Sequence, residues 1–121
     1  MSRAVRPFGL PRTARLRQAH DIQAVFQVGR REERRAFVLL WVPSRGPGRA
    51  GFAVSRQIRG SVRRNRARRR MREAYRTLGV ARARGVDVMF VARAWALKAP
   101  LDELRADMSR ALEATSGSAP R

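Results

Sequence analysis

The segment from Val62 to Arg76, VRRNRARRRMREAYR, carries eight arginines in fifteen positions. So much like charge keeps one shape only if a periodic apolar stripe anchors it. On a helical wheel Ala67, Met71, Ala74, Tyr75 and Leu78 fall within a stripe of roughly 100°. Arg68, Arg69, Arg72 and Arg76 point away from it. The spacing predicts a helix held against a sheet by a thin greasy stripe, with a bank of guanidinium groups facing outward. Glu73 is within reach of Arg69 at i−4 and of Arg76 at i+3, which relieves some repulsion. A merely solvated basic face would carry interspersed acids. Here one glutamate answers eight arginines, so most of the strain waits for an anionic partner.

The rest of the chain repeats that demand. It has 121 residues and a formal net charge of +19, enough for one domain with one core. That charge repels itself in a compact state. Nucleic acid is the leading partner class, and an anionic membrane surface is the weaker one. Lys98 is the only lysine. Arginine forks onto phosphates and stacks on bases, which an ammonium does not do, although a GC-rich genome would produce the same bias. Leu, Ile, Val and Phe number only 27 of 121, near the composition at which highly charged chains stay disordered. The free protein is therefore expected to be marginally stable, with sulfate or RNA raising its thermal midpoint by binding the folded state.

Cysteine is absent, which excludes disulfides, thiol nucleophiles and thiolate metal sites. No run of about twenty apolar residues suits a membrane span. The first twenty residues are basic and acid-free, but Pro7, Gly9 and Pro11 interrupt any amphipathic helix and no secretory core is present. Residues 1–15 read as a flexible basic arm on a cytoplasmic protein, 16–114 as the domain and 115–121 as a disordered tail.

Within the domain, Ile22, Val25 and Phe26 fall at i, i+3 and i+4, and Gly29 follows. This predicts a short amphipathic helix over 19–28. RAFVLLWV (35–42), the turn-like PSRGPGR (43–49) and AGFAVS (50–55) predict an antiparallel hairpin. VDVMFVA (86–92) predicts a strand buried on both faces. Leu101, Leu104, Met108 and Leu112 repeat at helical spacing after Pro100, which suits a first helical turn.

Catalytic groups are scarce. His20 is the only histidine, so a two-histidine ribonuclease is excluded. A two-metal nuclease needs clustered carboxylates. Asp102, Glu103 and Asp107 are near one another in sequence, but 103 and 107 read as a solvated helix face. Asp87 reads as the structural partner of an arginine. No phosphate-binding glycine loop occurs. The residues offer binding chemistry without reaction chemistry.

GFAVSRQIRGSVRRNRARRRMREAYR (51–76) resembles the conserved block of the bacterial ribonuclease P protein subunit. The core of the resemblance is Arg64-Asn65-Arg66, then the pair Arg68-Arg69, then Arg72-Glu73. LRQAHDIQAVFQVG (16–29), RAFVLLWV and DVMFVAR (87–93) are similar to the family's first helix, first strand and a later strand. The likeness covers about 16–113.

The resemblance implies an α/β two-layer sandwich of the α+β kind, like the second domain of ribosomal protein S5. Its element order is α-β-β-α-β-α with a left-handed βαβ crossover, against the usual handedness. It also implies a protein cofactor for a catalytic RNA that uses magnesium to remove the 5′ leader of precursor tRNA, with no organic cofactor. The RNA subunit would hold the magnesium in the main and do the chemistry, and the protein would pair with it one to one. Arg64, Asn65, Arg66, Arg68, Arg69 and Arg72 would meet the catalytic RNA. Ile22, Phe26, Leu40 and Arg56 would meet the single-stranded leader through stacking and charge. From the helical pattern alone, Phe26 would be plain core.

Some positions depart from the family pattern. Ile22 and Leu40 stand where aromatics are common, Gln57 where a basic residue is usual, and Arg59 where glycine is frequent. Arg70 replaces an apolar residue and either snorkels past the stripe's edge or adds an RNA contact. The main rival reading is a ribosomal structural RNA-binding protein, which shares the charge and the fold.

Overall fold

The computed structural model describes residues 19–79 and 83–118. The elements run α1 (Ala19–Val28), β1 (Arg30–Glu33), β2 (Phe37–Pro47), β3 (Arg49–Val54), α2 (Ser61–Arg76), β4 (Arg84–Ala92), a 3₁₀ turn (Ala94–Leu97) and α3 (Leu101–Ser118). The mixed α/β class expected from the resemblance is the one observed. The element order gains a strand, β1, whose sequence RREE carries no apolar alternation. It is an edge strand held by backbone pairing with β2, and charged edges are how sheets avoid joining one another.

The strand order is β1-β2-β4-β3. The expected hairpin between β2 and β3 is therefore corrected: β4 lies between them, antiparallel to β2 and parallel to β3. The true hairpin is β1–β2. The ladder between β2 and β4 shifts register between Pro43 and Pro47, so the proline- and glycine-rich stretch continues β2 as far as the start of β4, where Pro47 pairs with Arg84. Gly48 then reverses the chain. A Cβ there would lie 2.4 Å from the Ala83 carbonyl oxygen, so the close approach of two backbones requires glycine. The unit β3–α2–β4 is a parallel crossover carrying the arginine-rich helix.

Strand alternation divides the sheet into two faces. One face buries Phe37, Leu39, Trp41, Val88 and Phe90 against Ala67, Met71 and Tyr75 of α2 and Leu104 and Met108 of α3. Phe37, Phe52 and Tyr75 surround Phe90 with ring centroids 5.3–5.8 Å away, geometry that adds to plain burial. The central strand β4 is buried on both sides, as its apolar run predicts: Met89 faces the other way and meets Val25 of α1.

The basic arm 1–15 lies outside the described residues. The expected tail does not begin at 115: α3 continues to Ser118, with Thr115 buried and its hydroxyl donating to the Leu112 carbonyl at 2.7 Å. Residues 119–121 lie outside the described residues. Among the described residues no helix is long and apolar enough to cross a membrane.

Candidate nucleic-acid interface

Two surfaces meet the requirements set by the sequence. The first is the outer face of α2. Ala67, Met71, Ala74 and Tyr75 are its buried residues, so the stripe lies where the wheel places it. Opposite, Asn65, Arg68, Arg69 and Arg72 line a shallow groove. Arg68 donates to the Asn65 side-chain oxygen at 3.0 Å, which orients both along the groove. Arg72 sits 6.0 Å from the Phe52 ring centre. Arg66 and Arg69 are exposed and, among the described residues, engage no protein partner. Glu73 pairs with Arg76 at 2.6 Å and 2.8 Å rather than with Arg69. The helix opens on Gly60 at φ 89 with no side-chain cap and no acid in its first turn. Its amide dipoles therefore add to the positive field.

Two arginines of the segment do not belong to this bank. Arg64, expected to meet RNA, turns inward. Its guanidinium donates to the carbonyls of Ser55 at 2.9 Å, Ile58 at 3.0 Å and Val54 at 3.2 Å. The signal was present in the sequence: Arg64 precedes Ala67 and Met71 at i+3 and i+7, which places it about 60° round the wheel, inside the apolar stripe. Arg70 likewise serves the fold. Its Nε donates to the Ala96 carbonyl at 2.9 Å and its Nη2 to the Ala99 carbonyl, fastening the 3₁₀ turn to α2. Of the two readings left open for it, this is neither an RNA contact nor simple snorkelling.

The second surface is the sheet face opposite α2. Its rows follow from the register: Arg49, Asp87 and Val42; then Gly51, Met89, Leu40 and Arg31; then Ala53, Val91, Val38 and Glu33. Helix α1 lies across β2 and β4. Ile22 and Leu40 are half-buried against Val25 and Met89, together with Val42, Ala53 and Val91. Phe26 is 49% exposed, so its ring is not core, against the reading from the helical pattern alone. Arg56 is exposed in the loop beyond β3, at the end of this face. β3 adds only the small Gly51 and Ala53 beside Arg49. Sequence reasoning missed Arg31, the row neighbour of Leu40, because β1 itself was not legible.

Asp87, Glu103 and Asp107 are engaged in structure. Asp87 takes two bonds from Arg49, at 2.7 Å and 3.1 Å, the arginine pairing expected of it. Glu103 accepts the Trp95 indole N–H at 2.8 Å and Asp107 pairs with Arg34 at 3.0 Å. The solvated face expected for 103 and 107 is thus corrected: both fasten α3 to neighbouring elements. Arg35 lies 3.8 Å over the Trp95 ring. Among the described residues no three His, Cys, Asp or Glu side chains gather as a metal site.

A family model described as Ribonuclease P matches residues 10–116. The chain belongs to the ribonuclease P protein family. It is 39% identical over 103 residues to the ribonuclease P protein component of Chloroflexus aggregans, covering 84% of this chain and 76% of that one. It is 37% identical over 101 residues to the protein component of Symbiobacterium thermophilum, covering 82% and 88%. The solved structure of the RNase P protein from Thermotoga maritima shares the fold at a TM-score of 0.71 and 24% identity, covering 83% of this chain and 96% of that one. The Staphylococcus aureus protein does so at 0.68 and 21%, covering 84% and 94%. The ribonuclease P role is that of a protein subunit in tRNA 5′ processing. The chain is part of an endoribonuclease holoenzyme with an RNA partner.

Proposed function

We infer that this subunit binds and positions RNA while the RNA partner performs the cleavage. The observation that carries this reading is the division of labour among the side chains. Asp87, Asp107, Glu103 and Glu73 are tied to Arg49, Arg34, Trp95 and Arg76, whereas Arg66 and Arg69 stand exposed with no protein partner among the described residues. Asn65, Arg66, Arg68, Arg69 and Arg72 lie against the catalytic RNA, where fork-shaped donors match phosphate oxygens. Ile22, Phe26, Leu40 and Arg56 take the 5′ leader of precursor tRNA, with Phe26 as the stacking platform. Magnesium is held mainly by the RNA. The complex is one protein to one RNA and works in the cytoplasm.

Precursor-tRNA cleavage at low magnesium tests this reading with catalytic RNA alone, protein alone and both together. Cleavage confined to the mixture, or far faster in it, is the expected result. Cleavage by the protein alone, surviving stringent purification, would overturn it.

A further inference from the structure

Arg64 sits in the first turn of α2, where the helix dipole disfavours a cation and Arg63 and Arg66 add to the repulsion. An arginine there needs a compensating reason, and the structure supplies one in three carbonyls. Val54 ends β3, Ser55 follows it, and Ile58 is the buried residue of the connecting loop, at 1% exposure. A planar fork reaches all three, two from Nη1 and one from Nη2; an ammonium presents its donors from one point, without that fixed spread. The same loop is braced by the Ser55 amide on the Ala92 carbonyl and by the Ile58 amide on the Ser55 carbonyl. Between those braces stands exposed Arg56, at the end of the sheet face that meets α1.

We propose that Arg64 is a positioning residue. It locks the loop from β3 to α2 so that Arg56 is held at a set place relative to the arginine bank, and it does not itself touch phosphate. The two RNA surfaces are thereby joined rigidly through one guanidinium. The proposal rests on the functional reading above and deepens it.

The test uses the reconstituted holoenzyme and two readouts. The first is the salt dependence of protein affinity for the catalytic RNA. Arg66→Ala should lower the slope of log K against log salt by about one, whereas Arg64→Ala and Arg64→Lys should leave it unchanged. The second is the leader advantage, the affinity ratio for precursor tRNA with and without its 5′ leader. Arg56→Ala, Arg64→Ala, Arg64→Lys and the Arg56→Ala/Arg64→Ala pair should all reduce it to one common level, because the second change removes nothing further.

A slope lowered by Arg64→Ala and restored by Arg64→Lys would show a direct phosphate contact and overturn the proposal. So would losses of leader advantage that multiply in the pair. A slope unmoved by Arg66→Ala would instead refute the assignment of α2 to RNA, leaving the leader cycle to judge Arg64. A wild-type measurement guards against variants that fail to fold. The guanidinium nitrogen resonances of Arg64 should stay slowly exchanging and unshifted when catalytic RNA is added, while those of Arg66 and Arg69 shift. An RNA-dependent shift at Arg64 would overturn the proposal.

Discussion

Replacing Arg70 with alanine separates an arginine that builds the fold from those proposed to meet RNA. Its guanidinium makes two hydrogen bonds to carbonyls of the segment 96–99, where Ala96 and Ala99 are fully buried. A hydrogen bond from a charged donor contributes about 1.5–3 kcal/mol. Both bonds leave from one partly exposed side chain, so the low end applies, and their loss costs about 3 kcal/mol at most. Relief of like charge offsets little. Arg66 at i−4 repels Arg70, but Glu73 at i+3 attracts it, and each such pair amounts to about 0.2–0.5 kcal/mol. A net loss of about 2 kcal/mol remains. For a domain of this size each kcal/mol lowers the thermal midpoint by about 4–8 °C, so Arg70→Ala should lower it by about 10 °C in calorimetry. Arg66→Ala should move the midpoint by less than about 4 °C, since surface changes without partners stay within about 0.5 kcal/mol. The salt slope of RNA binding should be unchanged by Arg70→Ala. A midpoint that holds while the slope falls would refute the reasoning and return Arg70 to the RNA-facing bank.

Removing Arg68 and Arg69 together should flatten the salt slope by about 1.8. Between 50 and 200 mM salt the variant should then lose roughly tenfold less affinity than the parent does; filter binding across that range checks this, and parallel slopes would contradict it. Phe26→Ala should weaken the preference for leader-bearing substrate in competition assays with almost no change in thermal midpoint, because the ring is half-exposed. Phe90→Ala removes the ring at the centre of the aromatic cluster and should cost about 3–5 kcal/mol. That is most of the stability of a small domain. The variant should therefore lack a cooperative melt without RNA and regain one with it.

The α2 helix was legible because its cause is local. Ala67, Met71, Ala74 and Tyr75 repeat at the helical period whatever lies beneath them, and the opposite face is charged by default. The bounds of α1 were legible for the same reason, with Gly29 as the stop. Phe26 shows where periodicity ends. Ile22, Val25 and Phe26 share one stripe, yet only Val25 is fully buried, because α1 meets the sheet along a narrow line. The resemblance, more than the pattern, pointed to an exposed ring.

Strand pairing depends on contacts distant in the chain, and there local reasoning failed. β2 and β3 follow one another across a glycine- and proline-rich turn, so adjacency suggested a hairpin. The partner β2 takes is instead β4, more than forty residues later: Phe37 pairs with Ala92 and Leu39 with Phe90. The apolar run of β4 announced burial on both faces, and a central position in the sheet is what delivers it. β1 escaped notice because an edge strand is held by its backbone, and RREE shows none of that in its side chains.

The sequence by itself determined that this chain is a polycation with one thin-striped arginine helix, a single histidine and no cysteine, since charge, periodicity and residue type are properties of the order alone. Only the tertiary structure decided which arginines face outward. Whether a guanidinium finds phosphate or protein depends on carbonyls brought to it by other elements: Val54, Ser55 and Ile58 for Arg64, and Ala96 and Ala99 for Arg70.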